Sequence, residues 1–280
     1  MRAVTAAEAE WDGRIGLRRA VTDTLVIARR NLLRNVRLPQ LLLFSTIQPV
    51  MFLLLFTFVF GGALAMSLPP GLDYVQYLLP GLLIQIATFG AGQTAMGLTE
   101  DLQKGVIDRF RSLPMARSAV LAGRTLADLA RNAAVLSLML TVGFAIGFRW
   151  GTSFLGFLGG FGIALLFGYA LSWMMATIGL AVRNPEAAQS AVFLPVFPLV
   201  FASSVFVPPQ SMPDWLQVFA EHQPITIVAN AVRGLMLGQA TLPAGLTVAG
   251  QVGLALTWIA GITAVFAFLA VRLYRKVQAT

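Results

Sequence analysis

Apolar runs long enough to cross a lipid bilayer dominate this sequence, and its charged residues lie almost entirely between them. A membrane-spanning helix needs about 20 mostly apolar residues. Charged residues make up only 11% of the chain, whereas a soluble domain carries about 25%. The sequence therefore predicts an all-α integral membrane protein.

Six transmembrane helices are predicted, near residues 40–61, 76–98, 121–148, 154–182, 187–206 and 250–271. An even number of spans places both termini on one side of the membrane. With the termini inside, every Lys and Arg except Arg149 and Arg233 falls on the inner side. Cytoplasmic loops carry this excess of positive charge, so we expect a multi-pass protein with both termini cytoplasmic.

Two further segments are predicted to be helical without crossing the membrane. Before the first span, the apolar residues Leu25, Ala28, Leu32 and Leu33 recur at helical spacing. Several arginines lie on the opposite side of this predicted helix. An amphipathic helix of this kind lies in the membrane interface, although a solvated basic leader is the alternative. Residues 207–235 contain too many prolines for a spanning helix and are too apolar for a free loop. They predict a pair of short re-entrant helices in the outer leaflet.

Small residues repeat every four positions along the fourth span: Gly156, Gly160, Ala164, Gly168, Ser172 and Ala176. Small side chains allow membrane helices to approach closely. We expect this stripe to pack within one subunit, with packing between subunits as the alternative.

The charged stretch Glu100–Arg117 separates the second and third spans. Its apolar residues recur at helical spacing: Leu102, Val106, Phe110 and Leu113. The spacing predicts a short amphipathic helix that ends at Pro114 on the cytoplasmic side. This helix is either an anchor on the membrane surface or a docking helix for a cytoplasmic partner.

The chain lacks the residues that several kinds of catalysis and metal binding require. It contains no cysteine and one histidine, His222, and no GxxxxGK[ST] phosphate-binding loop. We therefore expect no catalytic residue, no cofactor and no metal site. The net charge of +8 is spread beside the spans, without a separate basic module that could bind nucleic acid.

Polar residues within the spans suggest two candidate sites. Gln48, Gln85 and Gln93, together with Phe89, either line a substrate path or tie helices together. Near the inner end of the third span, Arg124, Asp128 and Arg131 share a helical face and can pair. They form either an inner-gate ion pair or a solvated helix end.

Nearly the whole chain resembles the permease subunits of type-2 ABC exporters, in particular the daunorubicin/doxorubicin-resistance-like branch. The resemblance is carried by the order and spacing of "ARRNLLRNVRLPQLLLFSTIQPVMFLLLFTFVFGG" (28–62), "YLLPGLL" (77–83), "EDLQKGVIDRFRSLPMARSAVLAGRTLADL" (100–129), "RNPEAAQS" (183–190) and "VPPQSMPDWLQVFAEHQPITIVANAVRGLMLG" (207–238).

The resemblance implies a permease of the bacterial plasma membrane that is not itself an enzyme. Two six-span subunits, identical or different, would pair and dock on two separate cytoplasmic ATPase subunits. Glu100–Arg117 would be the coupling helix on the ATPase, with Gly105, Arg109, Phe110 and Pro114 matching its pattern. The substrate would be a hydrophobic or amphipathic drug, antibiotic or lipid.

The expected organisation is a cytoplasmic leader with an interfacial connecting helix (1–38), a six-span permease domain (39–276) and a short tail (277–280). The main alternative function is an ion-coupled secondary carrier or channel without an ATPase. No Asp, Glu or Lys occupies the middle of a span, which disfavours ion coupling. A membrane-embedded enzyme and an assembly subunit are the remaining alternatives.

Overall fold

The computed structural model describes residues 17–37, 39–66, 68, 71–106, 117–182 and 184–277, and all regular structure in those ranges is helical. A chain in lipid finds no water for its backbone N–H and C=O groups, and a helix pairs these groups internally. The predicted class, an all-α membrane protein, is confirmed.

The helices, in chain order, are α1 (Leu17–Arg37), α2 (Pro39–Leu54), α3 (Gly61–Ala65), α4 (Tyr74–Gln103), α5 (Arg117–Ala145), α6 (Phe154–Val182), α7 (Pro185–Phe201), α8 (Asp214–His222), α9 (Pro224–Leu237) and α10 (Val248–Val277). A π-helical segment, Leu55–Phe60, joins α2 to α3 without a break. Such segments are rare and often lie at functional sites.

Five helical stretches in the described ranges are long and apolar enough to span a membrane: Thr46–Ala65, Tyr74–Gln103, Ala119–Ala145, Phe154–Val182 and Val248–Arg275. The predicted fifth span corresponds to α7, which has 17 residues, at the lower limit of about 17–25 for a transmembrane helix. It ends at Phe201 rather than near residue 206. Residues 202–206 form turns instead, and their polar groups bind neighbouring segments.

The helix α4 occupies the centre of the bundle and is buried along most of its length. It packs against α5, α6, α7 and α9, while α10 packs on α6 and α9, and α1 lies along α5. By contrast, Thr46–Ala65 is largely exposed in the single chain.

The small residues of α6 form close contacts within the subunit, as predicted. A Cβ added to Gly160 would lie 2.8 Å from Cγ of Met236, and one added to Gly168 would lie 3.2 Å from Cβ of Ala87. The stripe therefore brings α6 close to both α9 and α4, and its packing role inside one subunit is confirmed.

Two short helices, α8 and α9, occupy the connection in which re-entrant helices were predicted. The helix α9 is buried almost throughout and packs against α4, α6 and α10. Its first residue is Pro224, which suits the first turn because proline has no N–H to leave unpaired.

Candidate functional site

Arg233 of α9 is completely buried and forms the densest polar cluster in the described part of the chain. Its Nε donates to the carbonyl of Tyr77 at 2.9 Å. Its Nη1 donates to Oγ of Ser204 at 3.0 Å and Oδ1 of Asn230 at 3.1 Å. Its Nη2 donates to the carbonyls of Ser204 and Val205. One side chain therefore joins α9, the start of α4 and the turn after α7.

The cluster around Arg233 contains no salt bridge to an acidic side chain of the described residues. Instead, the guanidinium carbon lies 3.8 Å from the centroid of the Tyr77 ring, and a cation over an aromatic face is stabilised electrostatically. A Cβ at Gly81 would lie 2.5 Å from the carbonyl oxygen of Val205. Only glycine at position 81 leaves room for the turn after α7 to approach α4.

A second polar cluster lies at the opposite end of α4. Asp101 accepts a hydrogen bond from Nη1 of Arg124 at 2.8 Å, and its Oδ2 lies 3.6 Å from Nη2 of Arg30. These residues belong to α4, α5 and α1. A Cβ at Gly97 would lie 1.5 Å from Nη2 of Arg124, so the absence of a side chain at position 97 creates the space for this guanidinium.

The helices α4 and α5 share further polar contacts closer to the bundle centre. Oγ1 of Thr94 donates to Oδ2 of Asp128 at 2.5 Å. Nη2 of Arg131 donates to the carbonyl of Gly90 at 2.6 Å and lies 3.8 Å from Oδ1 of Asp128. Buried polar groups need such partners because an unpaired group costs about 1–3 kcal/mol.

The three residues of the predicted inner gate therefore do not form one continuous network. Asp128 and Arg131 lie close to each other, but Arg124 binds Asp101 on α4. Asp101 was not predicted as a partner, because residues on different helices share no spacing along the sequence. A contact between two helices leaves no periodic signal in either one.

The four residues of the candidate substrate path differ in exposure. Gln85 is buried, while Gln48 and Gln93 are exposed in the single chain. The ring of Phe89 is half-buried and lies 6.2 Å from the ring of Phe193 on α7. Phe89 thus connects the polar face of α4 to an aromatic surface.

That aromatic surface, called the phenylalanine row below, continues across four segments of the chain. Consecutive ring centroids lie 4.4–6.2 Å apart, within the range of favourable aromatic pairs. The row comprises Phe52, Phe56, Phe60, Phe89, Phe193, Phe197, Phe201 and Phe206.

Several rings of the phenylalanine row are open to the surroundings. Phe60, Phe193, Phe197 and Phe201 are each between 38% and 52% exposed. The phenylalanine row was not predicted, although phenylalanine recurs every four residues in both α7 and the first span. This spacing places the rings on one face of each helix.

The predicted coupling segment is only partly described. Residues 100–103 form the last turn of α4, and Gly105 then adopts a φ of 62°, a left-handed conformation that favours glycine and ends helices. Residues 100–103 of the predicted coupling segment therefore continue α4. Leu102 and Val106 are partly exposed, whereas Arg109, Phe110 and Pro114 lie outside the described residues.

The long apolar helices, the buried polar clusters and the small-residue contacts together define a multi-pass membrane protein. Residues 22–237 match the family described as ABC-2 type transporter, and the chain belongs to this family. It is a membrane subunit, or permease, of an ABC transporter.

Three relatives illustrate the match. The chain is 37% identical to a daunorubicin resistance ABC transporter permease of Streptomyces coeruleorubidus, over 93% of this chain and 88% of the relative. It is 26% identical to a probable doxorubicin resistance ABC transporter permease of Mycobacterium tuberculosis, over 88% of this chain and 86% of the relative. It is also 22% identical to a putative transport permease of Cyanophora paradoxa, over 77% of this chain and 74% of the relative.

Proposed function

We propose that this permease exports hydrophobic or amphipathic aromatic compounds from the cytoplasm or inner leaflet, driven by ATP hydrolysis on a separate subunit. The phenylalanine row is the observation that carries the choice of substrate. Relatives named for daunorubicin and doxorubicin resistance support it, because resistance to a drug fits its removal from the cell.

The phenylalanine row offers a planar substrate many weak contacts of the same kind. Each aromatic pair contributes about 0.5–1.5 kcal/mol beyond simple burial, so a ring can move from one phenylalanine to the next without entering a deep trap. The amides of Gln48, Gln85 and Gln93 provide hydrogen-bonding groups beside this surface. An amphipathic compound needs both kinds of contact.

The proposed organisation follows the family. Residues 39–276 would form the six-span domain, with 1–38 and 277–280 as its flanks and both termini in the cytoplasm of a bacterial cell. Two permease subunits, identical or different, would dock on two ATPase subunits. Leu102, Gly105, Val106, Arg109, Phe110 and Pro114 would form the coupling surface.

Asp128 and Arg131 are proposed to act with Arg124 at the inner gate. Their contacts join α4 to α5, next to the segment that would receive force from the ATPase. A shift of that segment would change the Arg124–Asp101 and Asp128–Thr94 contacts together. We propose that the gate opens through this shared interface rather than through one isolated ion pair.

The substrate assignment is tested by measuring drug efflux from cells that produce the permease with its ATPase. Phe197→Ala should lower the rate of doxorubicin export about fivefold, the effect of losing about 1 kcal/mol of aromatic contact. Phe268→Ala is the matched control, because Phe268 is 65% exposed on α10 and lies outside the row. Equal rates for both variants would contradict the substrate path.

The energy source is tested separately, in vesicles that contain the permease alone. Without the ATPase subunit, an ion gradient should drive no export. Export under a gradient without ATP would support the secondary carrier instead.

A further inference from the structure

An apolar groove of about 510 Å³ lies between α1 and α5. Its walls are lined by Leu25, Ala28, Arg29, Leu32, Leu126, Leu129, Ala130, Ala133 and Leu165. The volume falls within the range of about 300–1,000 Å³ that small-molecule sites occupy. Arg29 supplies the one charged side chain in this lining.

The groove follows the membrane span inward from the interface. From Leu126 to Ala133 it extends about 10 Å along α5, given a helical rise of about 1.5 Å per residue. Leu165, which closes its far side, lies near the middle of α6. With the orientation proposed above, the groove reaches from the cytoplasmic interface toward the centre of the bilayer. An acyl chain of an inner-leaflet lipid likewise extends from the cytoplasmic interface toward the centre of the bilayer.

Arg29 lines the groove with the aliphatic part of its side chain and is exposed. Its guanidinium makes no hydrogen bond or salt bridge with a side chain of the described ranges. The neighbouring Arg30, by contrast, contacts Asp101 and donates to Oδ1 of Asn31. Of these two adjacent arginines, therefore, the one that faces the apolar groove keeps a charge available for an external anion.

The close contact between α1 and α5 keeps the groove's shape. A Cβ at Gly123 would lie 2.6 Å from the carbonyl oxygen of Thr24 and 2.7 Å from Cβ of Ile27. The two helices thus meet closely at Gly123 and leave open space beside Leu126 and Leu129. The groove therefore results from the way α1 and α5 pack against each other.

We propose that the groove binds one anionic glycerophospholipid of the inner leaflet, with an acyl chain between α1 and α5 and its phosphate at Arg29. Basic pockets beside membrane helices on the cytoplasmic side recognise anionic headgroups. The bound lipid holds the interfacial helix α1 against the third span, and it is not the exported substrate.

The test is photo-crosslinking of the full-length permease in vesicles that contain a phosphatidylglycerol with a diazirine in its acyl chain. Labelled peptides from α1 and α5 are then identified by mass spectrometry. Arg29→Gln should lower the labelling about fivefold, the factor for one lost attraction between a basic side chain and anionic lipid. Arg18→Gln, at an exposed arginine of the same helix, should leave the labelling unchanged.

A second variant tests the acyl-chain site itself. Leu129→Trp should block the groove and reduce labelling, whereas Leu254→Trp on the exposed face of α10 should not. Labelling that survives Leu129→Trp would overturn the proposal, as would equal labelling by the matching phosphatidylcholine. Displacement of the lipid by excess doxorubicin would also overturn it, because the groove would then be a substrate site. None of these measurements depends on ATP or on export.

Discussion

Arg124 and Asp101 form a 2.8 Å charge-assisted hydrogen bond between two different membrane helices. Their side chains are 13% and 11% exposed, so the pair is largely shielded from water. Removing one partner from a buried pair leaves an uncompensated charge. The pair therefore makes the attachment of α4 to α5 sensitive to single substitutions.

Asp101→Asn should destabilise the permease by about 3 kcal/mol, because Arg124 and Arg30 lose their shared carboxylate. Chemical unfolding of the purified protein in detergent measures this change. Lys104→Gln is the control: its i,i+4 bridge to Glu100 is exposed, so the change should stay below about 0.5 kcal/mol. Similar losses in the two variants would contradict the role given to Asp101.

Gly97→Ala should displace the guanidinium of Arg124, because the new Cβ would lie 1.5 Å from Nη2. We expect a loss of stability close to that of Asp101→Asn, since both substitutions break the same pair. Combining them should add little further loss, and a double-mutant cycle measures this coupling. Gly253→Ala, where an added Cβ meets nothing within 4 Å, serves as the control.

Arg233→Lys should destabilise the fold by about 3 kcal/mol, although it keeps the positive charge. Lysine cannot reproduce the planar fork of donors of arginine, so several buried acceptors lose their partners, at about 1–3 kcal/mol each. Thermal unfolding measures the effect. Arg18→Lys, at an exposed arginine of α1, should change stability by less than about 0.5 kcal/mol. Equal melting temperatures for the two variants would contradict the stabilising role given to Arg233.

The proposed orientation is tested with single cysteines, since the chain has none of its own. Ser112→Cys should react only with a reagent supplied on the cytoplasmic side. Ser211→Cys, at an exposed position before α8, should react only from outside. Reaction of both from the same side would exclude the six-span arrangement.

Phe110→Asp should abolish binding of the ATPase and export, while insertion into the membrane stays normal. Aromatic residues often dominate interface energies, and an aspartate would introduce an unpaired charge into the partner's groove. Co-purification of the two subunits measures the binding. Arg111→Ala, predicted to lie on another face, should have a much smaller effect. If Phe110→Asp keeps both ATPase binding and export, the coupling role is wrong.

Sequence patterns predicted the features that depend on a single helix. The spans, the small-residue stripe of α6 and the short helices α8 and α9 each leave a periodic or proline-based signal in the chain. The end of α4 at Gln103, followed by the positive φ of Gly105, depends on a backbone conformation that composition does not reveal. For the same reason residues 100–103 were predicted to belong to the coupling segment, whereas they form the last turn of α4.

Contacts between distant segments could not be predicted in this way. Arg233 meets Tyr77, Ser204 and Val205, and nothing in the spacing of these residues indicates that they are neighbours. The phenylalanine row is intermediate between the two cases. Its spacing within each helix was visible, but the stacking of α7 on the first span through Phe206 depends on how the helices pack.

The order of residues around Arg233 has a consequence for how the protein is made. Tyr77, Ser204, Val205 and Asn230 all precede Arg233 in the chain, so ribosomal synthesis delivers every acceptor before the cation that needs them. A charge in a bilayer is costly until it finds partners. Here the arginine arrives at acceptors already synthesised, and α9 can lock onto the bundle while α10 is still being translated. The last span, α10, then packs against α9 after the contacts of Arg233 have formed.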